Sequence, residues 1–103
     1  MEPHTKYIRD SNGQIREIAS YSKGRRHGIT SWFFASGFLE RVANFWYDQL
    51  HGDYFEFWLN GKRAVKAEYM YGALQESEEY DESGFPVAEE KSDVAGALHR
   101  LTK

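Results

Sequence analysis

The sequence predicts an all-β fold: an antiparallel meander of repeated β-hairpins in a single twisted sheet, closed by a short C-terminal α-helix. Three observations predict it. Glycine and aromatic positions recur every 24 residues along the 103-residue chain. Asn-Gly or Ser-Gly pairs punctuate that interval, and the runs between them, such as "WFFASGFLE" and "FEFWLNGKR", are rich in large rings.

The recurrence comes first, because an overlooked repeat mis-assigns a whole fold. Gly13, Gly37 and Gly61 are 24 residues apart, as are Gly28 and Gly52. Ala19, Ala43 and Ala67 keep the same interval, and so do the rings of Tyr21, Phe45 and Tyr69. Phe34 matches Trp58, and His27 matches His51. Asn12-Gly13, Ser36-Gly37 and Asn60-Gly61 thus form one turn used three times. Asn-Gly between aromatic and β-branched runs is the strongest local hairpin signal, and a type I′ turn with positive φ at both central residues is expected there. Looser turns are expected at "SKGRRHG", "DQLHG" and "YGALQ". Strands are therefore expected near 5–10, 14–22, 29–35, 38–47, 53–59, 62–71 and 76–82. Ser83-Gly84 marks a further, degenerate hairpin, which makes seven to eight strands.

A two-residue loop at 36–37 sets Ala35 opposite Phe38, and pairing runs outward from there. One face then collects Leu39, Arg41, Ala43 and Phe45 with Phe34, Trp32, Thr30 and Gly28. The loop at 60–61 joins Arg63, Val65, Ala67 and Tyr69 with Trp58, Glu56, Tyr54 and Gly52. Phe45 faces Gly28 and Tyr69 faces Gly52, so that a ring covers bare backbone and pins the register. The opposite face is also apolar, with Ile18, Ile29, Phe33, Phe38, Val42, Trp46, Phe55, Phe57, Leu59 and Met70. A sheet with one wet side should alternate more cleanly. In "SDVAGALHRL", Ser92 is a plausible N-cap and Val94, Leu98 and Leu101 fall on one helical face. One short helix is too little cover for such a sheet, so a partner is expected on the remainder, a second copy of the chain among the candidates. The whole reads as one domain: repeat sheet 7–75, degenerate acidic hairpin 76–91, and helix 92–102.

Tyr21-x-x-Gly24-x-x-x-Gly28, followed by Trp32, Phe34, Ser36 and Gly37, returns as Gly52, Tyr54, Trp58, Asn60 and Gly61. In these residues the chain resembles the MORN-repeat proteins, and within them the bacterial MORN-variant group described as antitoxin-like. The resemblance covers roughly residues 7–75. Asp48 stands where Gly24 and Gly72 have glycine, and Glu76 replaces the glycine expected after Gly72. The resemblance implies a single-layer hairpin stack that serves as a scaffold for protein contacts, without catalysis by the repeats; lipid binding has been proposed for some members.

Composition narrows the chemistry. With 17% aromatic residues, rings supply much of a small core. The absence of cysteine excludes disulfides and thiolate metal sites. No apolar run reaches the roughly 20 residues of a membrane span, and the expected location is cytoplasmic. No elbow or acid–base–nucleophile set is visible, so no catalytic residue, cofactor or metal is assigned. The net charge of −3 is uneven: residues 1–66 carry 10 Lys and Arg against 7 Asp and Glu, and residues 67–103 carry 3 against 9.

Three candidate surfaces follow. Phe33, Phe38, Trp46, Phe55 and Phe57 form either a protein-binding or dimer surface or a face covered by the terminal segments; aromatics are enriched where partners bind. Lys23, Arg25 and Arg26 are either an anion-binding turn for nucleic acid or a phospholipid headgroup, or a solvated loop. Glu76, Glu78, Glu79, Asp81 and Glu82 are either an acidic partner surface mimicking phosphates, or charges that discourage pairing along a last strand. The expected function is a non-enzymatic protein-interaction module of bacterial or phage type. It would neutralise a toxin-like enzyme, or, as a phage-borne inhibitor, a host enzyme.

Overall fold

The computed structural model describes residues 3–87. Seven strands run β1 His4–Arg9, β2 Ile15–Ser22, β3 Arg25–Phe33, β4 Leu39–Trp46, β5 Gln49–Phe57, β6 Arg63–Met70 and β7 Ala73–Glu79. They lie side by side in chain order, every neighbouring pair antiparallel, as one sheet. The expected all-β meander is therefore the fold. An eighth strand is only begun: after a turn at 81–84, Tyr80 bridges Pro86 and Val87 N–H donates to Glu79 O at 2.9 Å. The helix expected at 92–102, and the end of the acidic hairpin, lie outside the described residues.

The two kinds of turn are the reverse of the expectation. At each Asn-Gly or Ser-Gly pair the glycine N–H reaches back three residues, as Gly37 N to Phe34 O at 2.8 Å, and the strands close one residue further out, as Phe34 N to Phe38 O at 2.8 Å. Only the glycine has positive φ, with Gly61 at +88°, while Asn60 does not. This is a type I turn ending in a bulged left-handed glycine, an arrangement Asn-Gly serves as well as type I′. The true two-residue turns sit at the other ends of the hairpins, at Lys23-Gly24, Tyr47-Asp48 and Tyr71-Gly72, where both residues have positive φ. Because these turns are tighter than expected, β3, β5 and β7 start three to four residues earlier than the sequence implied.

Pairing deep in the hairpins is as expected: Trp32 opposite Arg41, Thr30 opposite Ala43, and Gly28 opposite Phe45. Next to the turn it is not. Leu39 faces Phe33 rather than Phe34, and Arg63 faces Phe57 rather than Trp58. A bulge between Trp32 and Phe33, repeated between Glu56 and Phe57, absorbs the extra loop residue and restores the register behind it.

The core is one cross-strand row, joined by Ala64 and Val65 of β6. Ala19, Thr30, Ala43, Tyr54 and Ala67 stand opposite one another across five strands, and all are buried; Thr30 and Ala43 are 0% exposed. Small side chains in that row leave room for larger neighbours on the same face to lean inward. Trp32, Phe45, Leu50, Trp58 and Tyr69 pack against it. Trp32 meets Phe45 edge-on at 6.4 Å and Tyr54 meets Tyr69 at 5.7 Å, geometries that aromatic quadrupoles favour. Among the described residues one face thus covers its own centre from its flanking rows, and it is called the inner face below.

Gly28 and Gly52 pair with Phe45 and Tyr69, and their own backbone supplies a physical reason for glycine. Their φ angles are +100° and +111°, in a region that side chains rarely adopt. At Gly28 three residues of β3 oppose the single Ser20 of β2, and at Gly52 three residues of β5 oppose Asn44 of β4. A Cβ at Gly28 would lie 3.3 Å from Ser20 Oγ, and one at Gly52 would lie 3.3 Å from Asn44 Cβ. Glu76 holds the equivalent place in β7, and there the irregularity shrinks to one extra residue.

Candidate protein-binding surface

The type I′ turns do more than reverse the chain. His27 Nδ1 accepts the Tyr47 N–H at 3.3 Å, and His51 Nδ1 accepts the Tyr71 N–H at 2.9 Å. Each imidazole therefore anchors the next turn along the sheet, and an imidazole accepting at Nδ1 carries its proton on Nε2. The backbone reinforces the contact: Asp48 N donates to Arg26 O, and Gly72 N to Leu50 O, both at 2.7 Å. Asp48 Oδ1 also accepts the Arg26 N–H at 2.8 Å, which compensates its left-handed φ of +73°.

Rings stack along this edge as a consequence. His27 lies 4.1 Å from Tyr47 and 4.8 Å from Trp46, Trp46 lies 6.2 Å from His51, and His51 lies 4.3 Å from Tyr71. Trp46, Met70 and Tyr71 remain 45%, 51% and 58% exposed. Five neighbouring rings therefore form a ladder in which Trp46 and Tyr71 are exposed and His27, Tyr47 and His51 are half-buried, with the Tyr47 and Tyr71 turns tied down by main-chain hydrogen bonds to the imidazoles. Sequence reading placed His27 and His51 at equivalent loop positions but did not find Tyr47 and Tyr71. The same 24-residue spacing relates those two tyrosines and was the available signal.

The five aromatics expected to form one surface are not brought together as one. Phe33, Phe55 and Phe57 are half-buried on the outer face, with Phe55 and Phe57 6.4 Å apart and the Arg63 guanidinium 5.0 Å from the Phe55 ring. Trp46 belongs to the ladder. Phe38, 58% exposed, sits at the opposite end of β4, beyond its first residue Leu39. Eight residue steps at about 3.3 Å each separate Phe38 from Trp46, or about 26 Å.

The basic turn also divides. Lys23 and Arg25 are exposed, but Arg26 lies in β3 and turns onto the inner face. Its guanidinium is 2.8 Å from Glu17 Oε2, donates to Thr30 Oγ1 at 3.3 Å, and stands 5.6–5.7 Å from the Tyr21, Trp32 and Phe45 rings. Arg41 stacks at 4.0 Å on the Trp32 ring. Beside it, Tyr54 donates to Glu56 Oε2 at 2.6 Å. Burial, followed by that bond to Glu56, pushes the Tyr54 phenol far above its usual range, and burial raises Tyr69 as well.

The acidic segment likewise serves several ends. Glu76 and Glu78 project from β7 opposite Glu68 and Lys66, while Glu79 is opposite Val65. Asp81 organises its own turn, with Oδ1 accepting from Ser83 N and Phe85 N, and Glu82 O accepts from the Asn60 side chain. Asp53, Glu68 and Glu76 line up directly across three strands and share an open groove with Lys66 and Glu78. Cross-strand register makes that row, and it was not read from the sequence. Among the described residues no group of three His, Asp or Glu side chains is placed to hold a metal ion, and no helix is long and apolar enough to cross a membrane. No family model matches the chain, and neither curated proteins nor solved structures give a match.

Proposed function

We propose that this chain is a non-enzymatic protein-interaction module that holds, and by occlusion neutralises, a partner protein. One observation carries the reading: within the ladder of His27, Trp46, Tyr47, His51 and Tyr71, the large rings of Trp46 and Tyr71 stay exposed while held against half-buried neighbours. Tyr and Trp dominate binding hot spots, and rings already held in place lose little side-chain freedom on docking. The hairpin unit of 24 residues agrees with the MORN-like resemblance, whose members are scaffolds for protein contacts. An antitoxin-like or phage-borne inhibitor acting in the cytoplasm is the specific form proposed, with the carboxylates Asp53, Glu68, Glu76 and Glu78 orienting the approach. The half-buried outer rings Phe33, Phe55 and Phe57 offer the same chain a dimer contact. Anion binding through the basic turn is the weaker reading, because Arg26 is already engaged by Glu17, Thr30 and three rings.

The test is comparative capture from a host lysate with the wild-type chain, a Trp46→Ala/Tyr71→Ala variant and a Phe38→Ala variant, at low and high salt. The expected result is a protein retained by wild type and Phe38→Ala, lost with the ladder variant, and still held at high salt. Capture unaffected by loss of the ladder rings, in a variant whose circular dichroism is unchanged, overturns the assignment of the surface. Release by salt alone moves the recognition to the carboxylates. Light scattering at high concentration reads the dimer contact.

A further inference from the structure

Two Asn-Gly pairs occupy the same backbone turn but differ at the side-chain amide. At residues 10–14, Asp10 Oδ1 accepts both Asn12 N and Gln14 N, at 2.9 and 3.0 Å. The amide proton that a turn asparagine would take is thereby already taken. The Asn12 side chain is exposed, and among the described residues no hydrogen bond reaches it. At residues 58–62 the first turn residue is Trp58, which has no carboxylate to offer. Asn60 Oδ1 accepts Lys62 N–H at 2.8 Å instead, and Asn60 Nδ2 donates to Glu82 O at 2.8 Å. The rest is matched: Gly13 N and Gly61 N each donate to the first residue of their turn at 2.9 Å, and open space surrounds both glycine α-carbons.

We infer that Asn12 is a spontaneous deamidation site, and that the same dipeptide at Asn60 is protected by the fold. The Gly13 backbone nitrogen, having given its proton to solvent base, attacks Asn12 Cγ. The N–Cγ bond forms, the Cγ–Nδ2 bond breaks, and Nδ2 leaves as ammonia with a proton from solvent. Water then opens the five-membered imide at either carbonyl, to aspartate or isoaspartate, so the net change is gain of one water and loss of one ammonia. In both turns the glycine N–H must first leave its bond to the first turn residue, a cost common to the two sites, and glycine then adds no side chain beside the attacking nitrogen. For Asn60 the Cγ must first swing away from both Lys62 N and Glu82 O. Two net hydrogen bonds slow that site by on the order of thirtyfold relative to Asn12. Each conversion at residue 12 adds a negative charge beside Asp10, and the isoaspartate form lengthens the main chain of the β1–β2 turn. The first hairpin is therefore the part of the sheet that ages.

The experiment incubates the full chain at mildly alkaline pH and physiological temperature, and follows both sites by peptide mass mapping with isoaspartate labelling. In the native state Asn12 is expected to convert on the order of thirtyfold faster than Asn60, and in strong urea the two rates should converge. Comparable native rates, or a native ratio that survives in urea, overturn the inference, the second because local sequence would then set the difference. Two variants test the cause. Asp10→Ala frees Gln14 N for the Asn12 side chain and should slow Asn12; Asp81→Ala loosens the turn that presents Glu82 O and should speed Asn60 while leaving Asn12 unchanged. Failure of both shifts in variants with native circular dichroism overturns the hydrogen-bond cause.

Discussion

Replacing Gly28 by alanine separates two reasons for a glycine in mid-strand. Its φ of +100° imposes strain of about 1–3 kcal/mol on a residue with a side chain. The new methyl also lies 3.3 Å from Ser20 Oγ, closer than ordinary contact, which adds up to about 1 kcal/mol if β2 cannot move. A total near 2–3 kcal/mol is a large share of the roughly 5–15 kcal/mol that holds a domain of this size together. With a urea m-value of about 1–2 kcal/mol per molar, the midpoint should fall by about 1–3 M, read by tryptophan fluorescence and circular dichroism. Gly61→Ala is the control: φ is +88° but nothing lies within 4 Å of the new atom, so only about 1 kcal/mol is expected. Adding Ser20→Ala to Gly28→Ala should return the contact part and no more. Gly52→Ala should be the worst of the set, because there the obstacle is Asn44 Cβ, a carbon fixed to the main chain, at 3.3 Å. The reasoning is refuted if Gly28→Ala costs no more than Gly61→Ala, or if Ser20→Ala restores all of the loss.

Three further outcomes are expected. Tyr54 has a raised phenol pKa in the folded state, so its contribution is complete below about pH 10, where both states are protonated. Above that the unfolded chain ionises first and stability falls, by up to about 1.4 kcal/mol per pH unit from this one group; urea titrations at rising pH should show a shallower decline for Tyr54→Phe, and an unchanged slope would refute the assignment. Asp48→Ala loses the carboxylate bond to Arg26 N and keeps a strained φ, and should cost about 2 kcal/mol; Asp48→Gly, which relieves the strain, should cost clearly less in the same urea melt. His51→Leu removes the acceptor for Tyr71 N, so hydrogen exchange should accelerate at the Tyr71 amide and not at Tyr47, which His27 still holds.

Strand order was legible in the sequence because repeated residues count off the hairpins. Gly28 opposite Phe45 and Gly52 opposite Tyr69 were counted outward from an assumed two-residue loop, and they hold because the bulges at Trp32/Phe33 and Glu56/Phe57 cancel the extra loop residue. The turns were not legible. Asn-Gly satisfies both a type I′ turn and a type I turn with a bulged glycine, and at Tyr47-Asp48 the genuine type I′ turn contains no glycine at all. That inversion hid Arg26. Reading "KGRRHG" as loop left its side chain without a face, whereas a strand starting at Arg25 puts it in alternation with Gly28, Thr30 and Trp32. The ladder was hidden for the same reason, since Tyr47 and Tyr71 gain neighbours only once the turns dock on His27 and His51.

Among the described residues the sheet is a single layer, which must solve burial sideways, and its inner face does so. Alanine and threonine in the central row allow rings from the flanking rows to close over it, so the middle of the inner face is covered, while Ile8 and Leu74 at its two edges stay exposed. Tyr47 and Tyr71 at the type I′ edge are fixed differently: each belongs to a turn whose main-chain N–H is accepted by an imidazole of the preceding hairpin. Equivalent rings, such as Tyr47 and Tyr71, belong to turns two strands apart, a repeat of about 10 Å along the edge. Wherever the sheet bends, those rings bend with it, because hairpin turns rather than packing hold them. A partner that reads this edge therefore reads the spacing of the hairpins themselves. Removing one imidazole should cost recognition through misplacement of the next tyrosine.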